Sequence, residues 1–207
     1  MDLMSHSFDE GARIPGEFAF GVADPDTHVA FGPNKSPHLA WSDVPDGTRA
    51  FVIVCVDSDV PTKPDDVNQE GREVPVDLPR TDFYHWLLVD LPATLRSLEE
   101  GAVASGVVPR GKEADATPVG RAGVNDYTGW FSGDTDMEGE YFGYDGPCPP
   151  WNDSIIHRYT FTVYALDVES VDLPAGFTGS DVIAAVEGHT LEQVSLTGTY
   201  TLNPRLL

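Results

Sequence analysis

The 207-residue chain carries 34 acidic against 12 basic residues, a net charge of −22, and is 41% hydrophobic. Such charge repels nucleic acid, and no apolar run approaches a membrane span, the longest being the strand-sized 50–56. The length suits a single domain, 1–207, and 20 Gly with 17 Pro favour a loop-rich β protein over a helical bundle.

In chain order, residues 14–22 hold a candidate first strand. Residues 36–41, SPHLAW, follow a Gly32-Pro33-Asn34 turn, and Trp41 is expected in the core. Val44-Pro45-Asp46-Gly47 is a turn by its chemistry, Pro followed by Asp-Gly. It feeds a strand over 49–56 that is apolar on both faces and therefore central. That strand ends at Asp57, with Asp59 two positions on; a strand-end acid ordinarily solvates a turn or caps backbone amides. Residues 62–80 are polar and proline-bearing, a long excursion suited to covering a pocket or building an interface. Residues 83–91 read as a second buried strand with Phe83, His85, Leu87 and Val89 on one face. A lone histidine among such neighbours is ordinarily a core residue.

Residues 93–126 carry few regular signals, and Asn125-Asp126 reads as a turn former. A second acidic excursion spans 130–144. Asp134, Asp136, Glu138 and Glu140 have a calcium-like spacing, but the EF-hand's glycine and flanking helices are missing, so no metal is expected. Residues 143–166, GYDGPCPPWNDSIIHRYTFTVYAL, turn from a Gly- and Pro-rich loop into a strand. There His157, Tyr159, Phe161, Val163 and Ala165 alternate onto one face. A proline-stiffened loop beside His157 and Tyr159 suits a small, preformed polar pocket. Residues 178–181 have capping-box spacing and open a short helix over 182–186. Residues 191–194 are a candidate helical continuation, and 196–202 the last strand.

Five of these segments act together. The run from Gly143 to Leu166, SPHLAW at 36–41, DSDVP at 57–61, FYHWLLVDLP at 83–92 and GHTLEQVSLTGTY at 188–200 occur in the order of known signatures. Together they resemble the phosphatidylethanolamine-binding protein (PEBP) family, and within it the bacterial and archaeal Raf-kinase-inhibitor-like branch. The resemblance implies a mainly β fold, an antiparallel Greek-key β-sandwich with a short C-terminal helix; the strand patterns agree with it. It also implies that Asp57, His85, Cys148 (through its backbone) and Tyr159 contact a phosphate-like ligand, with Pro150 and His157 in the pocket wall. Asp59 is then a supporting residue. Between Pro150 and His157 the chain reads WNDSII, a stretch expected to differ in length from the animal proteins.

The residue types fit an anion site. Two imidazoles can donate N–H bonds to phosphate oxygens, more strongly when protonated, and a phenol adds an O–H donor. Asp57 can orient an imidazole or accept from an amine head group. The expected function is a non-enzymatic binding protein for phosphate or a phosphorylated head group, without a cofactor. With no long apolar groove in view, acyl chains are not expected to enter. Two other classes compete: an interaction module inhibiting a kinase or protease, and a hydrolase using Cys148 or the histidines. No G-x-S-x-G elbow and no P-loop or dinucleotide motif occurs. A protein partner or a homodimer is compatible with the sequence; nucleic acid and membrane insertion are not.

The N-terminus lacks a basic segment followed by an apolar one, which favours a cytoplasmic location. Cys55 lies in an apolar run and Cys148 in the proline loop; in a reducing compartment both are expected as free thiols, and they make a poor zinc set. The acids are spread along the whole chain, which favours a salt-adapted, halophilic surface over a single patch for a basic partner.

Overall fold

The computed structural model describes residues 1–114 and 117–207. The strands and helices in chain order are Asp2–Met4 (β1), Gly21–Asp24 (β2), His28–Phe31 (β3), Leu39–Ser42 (β4), Ala50–Pro61 (β5), Arg80–Pro92 (β6), Ser97–Leu98 (β7), Gly111–Lys112 (β8), Arg121–Ala122 (β9), Tyr127–Trp130 (α1), Glu140–Tyr141 (β10), His157–Leu166 (β11), Gly179–Val186 (α2) and Thr190–Tyr200 (β12). No helix among the described residues is long and apolar enough to cross a membrane.

The main sheet has the order β12-β11-β5-β6-β9, antiparallel at every step. Within it, β11 returns from far along the chain to lie beside β5, the fourth-first-second-third order of a Greek key. The expected strand at 49–56 is β5, and it is central as its two apolar faces require. Phe51, Ile53 and Cys55 enter the larger core, shared with Leu39 and Trp41 of the three-stranded sheet β1-β4-β7. Val52 and Val54 enter a second core closed by α2 through Val182 and Val186. Two layers thus cover the main sheet, which is why its central strand has no polar face. The pair β8-β10 is parallel, a two-residue exception to the antiparallel pattern.

Several boundaries differ from the sequence reading. β5 continues through Asp57 to Pro61, because β6 begins at Arg80 and pairs with its far end. Residues 14–22 are not one strand: Pro15 opens a 3₁₀ turn at Gly16–Phe18, and only Gly21 begins β2. Residues 191–194 are strand, not helix. β12 starts at Thr190 and pairs with the whole of β11, and this ladder overrides local helix propensity. The expected capping signature holds, with Asp181 Oδ2 accepting the Thr178 N–H and Oγ1–H, each at 2.8 Å. Gly179 lets α2 approach the Tyr84 ring so closely that a Cβ would collide with it.

One correction bears on the site. Phe83, His85, Leu87 and Val89 do not share a face. The register between β5 and β6 slips between Cys55 and Val56, which pair with Trp86 and Tyr84 respectively. The extra residue is a β-bulge. Leu87 and Val89 consequently join the α2 core, while Trp86 and Leu88 join the larger one. His85 turns instead toward a cavity.

Candidate functional site

Three strands meet at the cavity floor. Tyr159 of β11 is directly opposite Asp57 of β5, which is opposite Phe83 of β6. The bulge brings His85 beside them, its ring centroid 5.1 Å from that of Tyr159. The loop 143–150 closes one side with Cys148, Pro149 and Pro150, so Asp57, His85, Cys148, Pro150, His157 and Tyr159 all line one cavity of about 630 Å³. Asp59 stands outside it. Its carboxylate takes three bonds of 2.8–2.9 Å from the Arg158 side chain and backbone, and its N–H donates to Asp57 Oδ1 at 2.8 Å.

The proline loop is held by buried polar groups that the sequence reading passed over. The buried Asp145 carboxylate accepts from Asn34 Nδ2 at 2.7 Å, from Asn125 Nδ2 at 2.8 Å and from Lys112 Nζ at 2.9 Å. Asn34 Oδ1 in turn accepts the Gly146 N–H at 2.8 Å. Gly146 passes so near the Phe18 carbonyl that no Cβ could fit there. Asn125-Asp126 is therefore more than a turn former. Asn125 is buried and ties Gly143, Asp145 and Tyr127 together, and Asp126 accepts the Tyr84 N–H. A short polar residue in a glycine-rich loop was the only available signal for this network.

The two histidines have different chemistry. His157 Nδ1 lies 2.7 Å from Asp57 Oδ2, and its Nε2 lies 3.1 Å from Asp153 Oδ2. Asp153 is itself clamped by Arg80 at 2.6 and 3.0 Å. Burial alone would depress the His157 pKa, but the Asp57 charge and the bonds to both carboxylates outweigh it and push it up to about 9. The ring is an imidazolium whose two N–H groups are both spent on protein carboxylates. The expectation that His157 donates to an anion is thus corrected: it lines the cavity and neutralises Asp57 and Asp153. Asp153, four residues before His157, was an unread signal within the WNDSII stretch.

His85 is buried, which lowers its pKa, and its Nδ1 lies 2.8 Å from the Asp145 carbonyl oxygen. A carbonyl only accepts, so Nδ1 carries the proton and the neutral ring keeps a lone pair on Nε2. The Asp145 N–H returns a bond of 3.0 Å to the His85 carbonyl, so strand and loop grip each other at two points. Tyr159 is 0% exposed, and its hydroxyl, beside the Asp57 carboxylate, has no partner of good hydrogen-bond geometry among the described residues. Burial, then the Asp57 charge, raises its pKa well above the usual phenol range, so it remains an O–H donor. Burial pushes the Cys148 thiol up to about 12, which leaves almost no thiolate near neutral pH. Cys55 and Cys148 are separate thiols.

The cavity is not small and polar as expected. Phe20 just before β2, Val29 and Phe31 of β3, and Tyr127, Trp130 and Phe131 at α1 build a mostly apolar wall above the floor. Residues 62–80 contribute Pro64, Val67 and Asn68, so this excursion does line the cavity. The acidic run at 134–140 has a local explanation, since Asp134 Oδ1 accepts the N–H groups of Asp136 and Met137 in a turn. Among the described residues no group of three or more His, Cys, Asp or Glu could hold a metal ion.

Comparison with known proteins gives a consistent result. A family model described as phosphatidylethanolamine-binding protein matches residues 4–201. The chain is 34% identical to YbhB of Escherichia coli (strain K12) over 203 residues, covering 97% of this chain and 100% of that protein. It is 32% identical to a protein of Methanothermobacter thermautotrophicus over 200 residues, covering 97% of this chain and 98% of its relative. Among solved structures, Escherichia coli YbcL aligns with a TM-score of 0.67 at 26% identity, covering 97% of each chain. CT736 of Chlamydia trachomatis, a PEBP homologue, aligns with a TM-score of 0.62 at 28% identity, covering 96% of this chain and 95% of that one.

Proposed function

The chain belongs to the phosphatidylethanolamine-binding protein family, and we propose that it is a non-enzymatic binding protein whose cavity floor takes a phosphate or phosphorylated head group. The observation that carries this reading is the Tyr159 hydroxyl, buried in the cavity lining beside Asp57 and without a partner of good hydrogen-bond geometry among the described residues. A buried polar group left without a partner costs about 1–3 kcal/mol, a cost relieved when a ligand oxygen accepts from it.

Tyr159 donates and His85 Nε2 accepts, side by side. That pairing fits a monoprotonated phosphate, whose P–OH gives its proton to the imidazole while a second oxygen receives the phenol's. Asp57 lies beside them and can receive an ammonium from the same ligand. Cys148 does not contribute a nucleophile in this reading, because its thiol is un-ionised.

Calorimetric titration of phosphoethanolamine and inorganic phosphate into the wild type, Tyr159→Phe and His85→Ala tests it. Loss of the phenol should weaken binding about tenfold or more, and loss of the imidazole by a similar factor. Affinity should also fall as pH rises through about 6, where a phosphomonoester loses its second proton. Equal affinity in wild type and a folded Tyr159→Phe variant would sink the proposal.

A further inference from the structure

A second cavity, of about 380 Å³, opens between the start of β3, the stretch 71–73, residues 151–152 and the C-terminal residues 203–205. It shares no lining residue with the cavity over Tyr159. Two of the chain's twelve basic residues, Arg72 and Arg205, line it, on a protein with 22 excess negative charges.

The cleft is built from below by two buried asparagines, each of which pins the backbone of one arginine. Asn152 Nδ2 donates to the Asp66, Gln69 and Arg72 carbonyls at 2.8, 3.3 and 3.2 Å. Asn203 Oδ1 accepts the Arg205 N–H at 3.0 Å, while its Nδ2 donates to the Asp153 carbonyl at 2.6 Å. The side wall is fixed as well. His28 has a φ of 66°, a left-handed conformation uncommon for a residue with a side chain. Its ring stacks on Trp151 at 3.9 Å and 12°, and its Nε2 lies 2.6 Å from Glu70 Oε1. Contacts of that kind hold a strained backbone in place. A preformed cleft spares a ligand the cost of ordering it.

The guanidinium groups are only partly used. Arg80 spends all three side-chain nitrogens on Asp153 and on backbone carbonyls, and Arg158 grips Asp59 through two. Arg72 meets Asp66 through Nη1 alone, at 2.7 Å, and Arg205 meets Glu73 through Nη2 alone, at 3.0 Å. All four of these side chains are about one-third exposed or more, so each pair contributes little and can open to admit a competitor.

We propose that this cleft binds a small di- or tricarboxylate anion, with one carboxylate on Arg72 and another on Arg205. The planar guanidinium fork matches a carboxylate edge, and Asp66 and Glu73 already occupy one nitrogen of each fork with that same group. Two forks favour two linked carboxylates, because once the first is bound the second engages as an intramolecular step. The volume is at the lower end of the roughly 300–1,000 Å³ that encloses whole small molecules, and it exceeds what a single inorganic anion fills. The site does not depend on the head-group reading above.

The test is calorimetric titration of citrate, succinate and acetate at neutral pH and one fixed ionic strength, into the wild type, Arg72→Gln, Arg205→Gln and Tyr159→Phe. Both arginine variants change exposed side chains, so folding is retained. Citrate and succinate should bind about tenfold or more tighter than acetate. Each arginine variant should lose about tenfold in citrate affinity and bind phosphoethanolamine as the wild type does. Tyr159→Phe should bind citrate as the wild type does. Citrate and succinate binding no tighter than acetate overturns the inference, as does citrate affinity that survives in both arginine variants. Loss of citrate binding in Tyr159→Phe overturns it too, by placing the anion in the other cavity.

Discussion

Tyr159 and His157 lie two positions apart on one strand face and do opposite work. The Tyr159 hydroxyl has no partner of good hydrogen-bond geometry among the described residues, so deleting it removes a buried, poorly satisfied group at almost no packing cost. Tyr159→Phe should leave the unliganded protein as stable as wild type or up to about 1–3 kcal/mol more stable, while binding weakens. Urea denaturation without ligand checks the first half; a loss of stability would mean the hydroxyl is structural. His157 has both nitrogens committed to carboxylates, and its pKa is about 9 in the fold against about 6.5 when unfolded. Because the folded value is the higher one, its contribution is complete below about pH 6.5 and is lost as pH rises through about 9. Thermal unfolding midpoints measured from pH 6 to 10 should therefore fall across that window. His157→Ala should flatten the fall and cost about 3–5 kcal/mol near neutrality, because the buried Asp57 loses its cation while Asp153 keeps only Arg80. A wild-type midpoint that stays level to pH 10 would contradict the ion-pair assignment.

At the scale of elements, the loop 143–150 and strand β6 are made into one unit by Asn34, Lys112, Asn125 and Asp145, none of which touches the proposed ligand position. Asn34→Ala would strand Asp145 Oδ1 and the Gly146 N–H without partners. A loss of about 1–3 kcal/mol in denaturant unfolding is expected, with weaker head-group binding through displacement of Cys148 and Pro150. Unchanged stability in that variant would remove the network from the account. These elements also mark how far the sequence could be read. The alternation from His157 to Ala165, the central strand before Asp57 and the capping pair at Thr178 and Asp181 all follow from local periodicity and spacing, and the structure contains them. The bulge at His85 does not follow from either, because a register slip is decided by what lies across the ladder, here Cys55 and Val56. The aromatic wall was hidden for a related reason. Its rings come from the β2-β3 and α1 regions, about a hundred positions apart, and their convergence is a product of tertiary packing alone. Of the two partners of His157, Asp57 was anticipated as a carboxylate that orients an imidazole, whereas Asp153 was read only as part of the loop.

For the whole molecule, the balance of charge sets the expectation. Among the described residues, Lys35, Arg49, Arg72, Arg80, Lys112, Arg121, Arg158 and Arg205, eight of the twelve basic side chains, are already paired with carboxylates. Those pairs engage nine acids, Glu17, Glu73, Glu100, Glu169, Asp59, Asp66, Asp90, Asp145 and Asp153, and most of the other described acids carry no such partner. Added salt acts on both populations with opposite sign. It weakens the exposed pairs, such as Arg49–Glu169, but each of these is worth only about 0–1 kcal/mol. It hardly reaches the buried pairs Arg80–Asp153 and Lys112–Asp145. Meanwhile it screens the mutual repulsion of 22 excess negative charges, a term that acts over the whole surface and has no compensating attraction. The repulsion term therefore governs the sign, and the thermal midpoint should rise with potassium chloride. Since the Debye length shrinks from about 10 Å at 0.1 M to about 3 Å at 1 M, most of the rise should come within that interval. A midpoint series in potassium chloride from 0.05 to about 2 M tests this; a level or falling series would show that the surface acids are accommodated by local pairing, and the salt-adapted reading of the composition would be withdrawn.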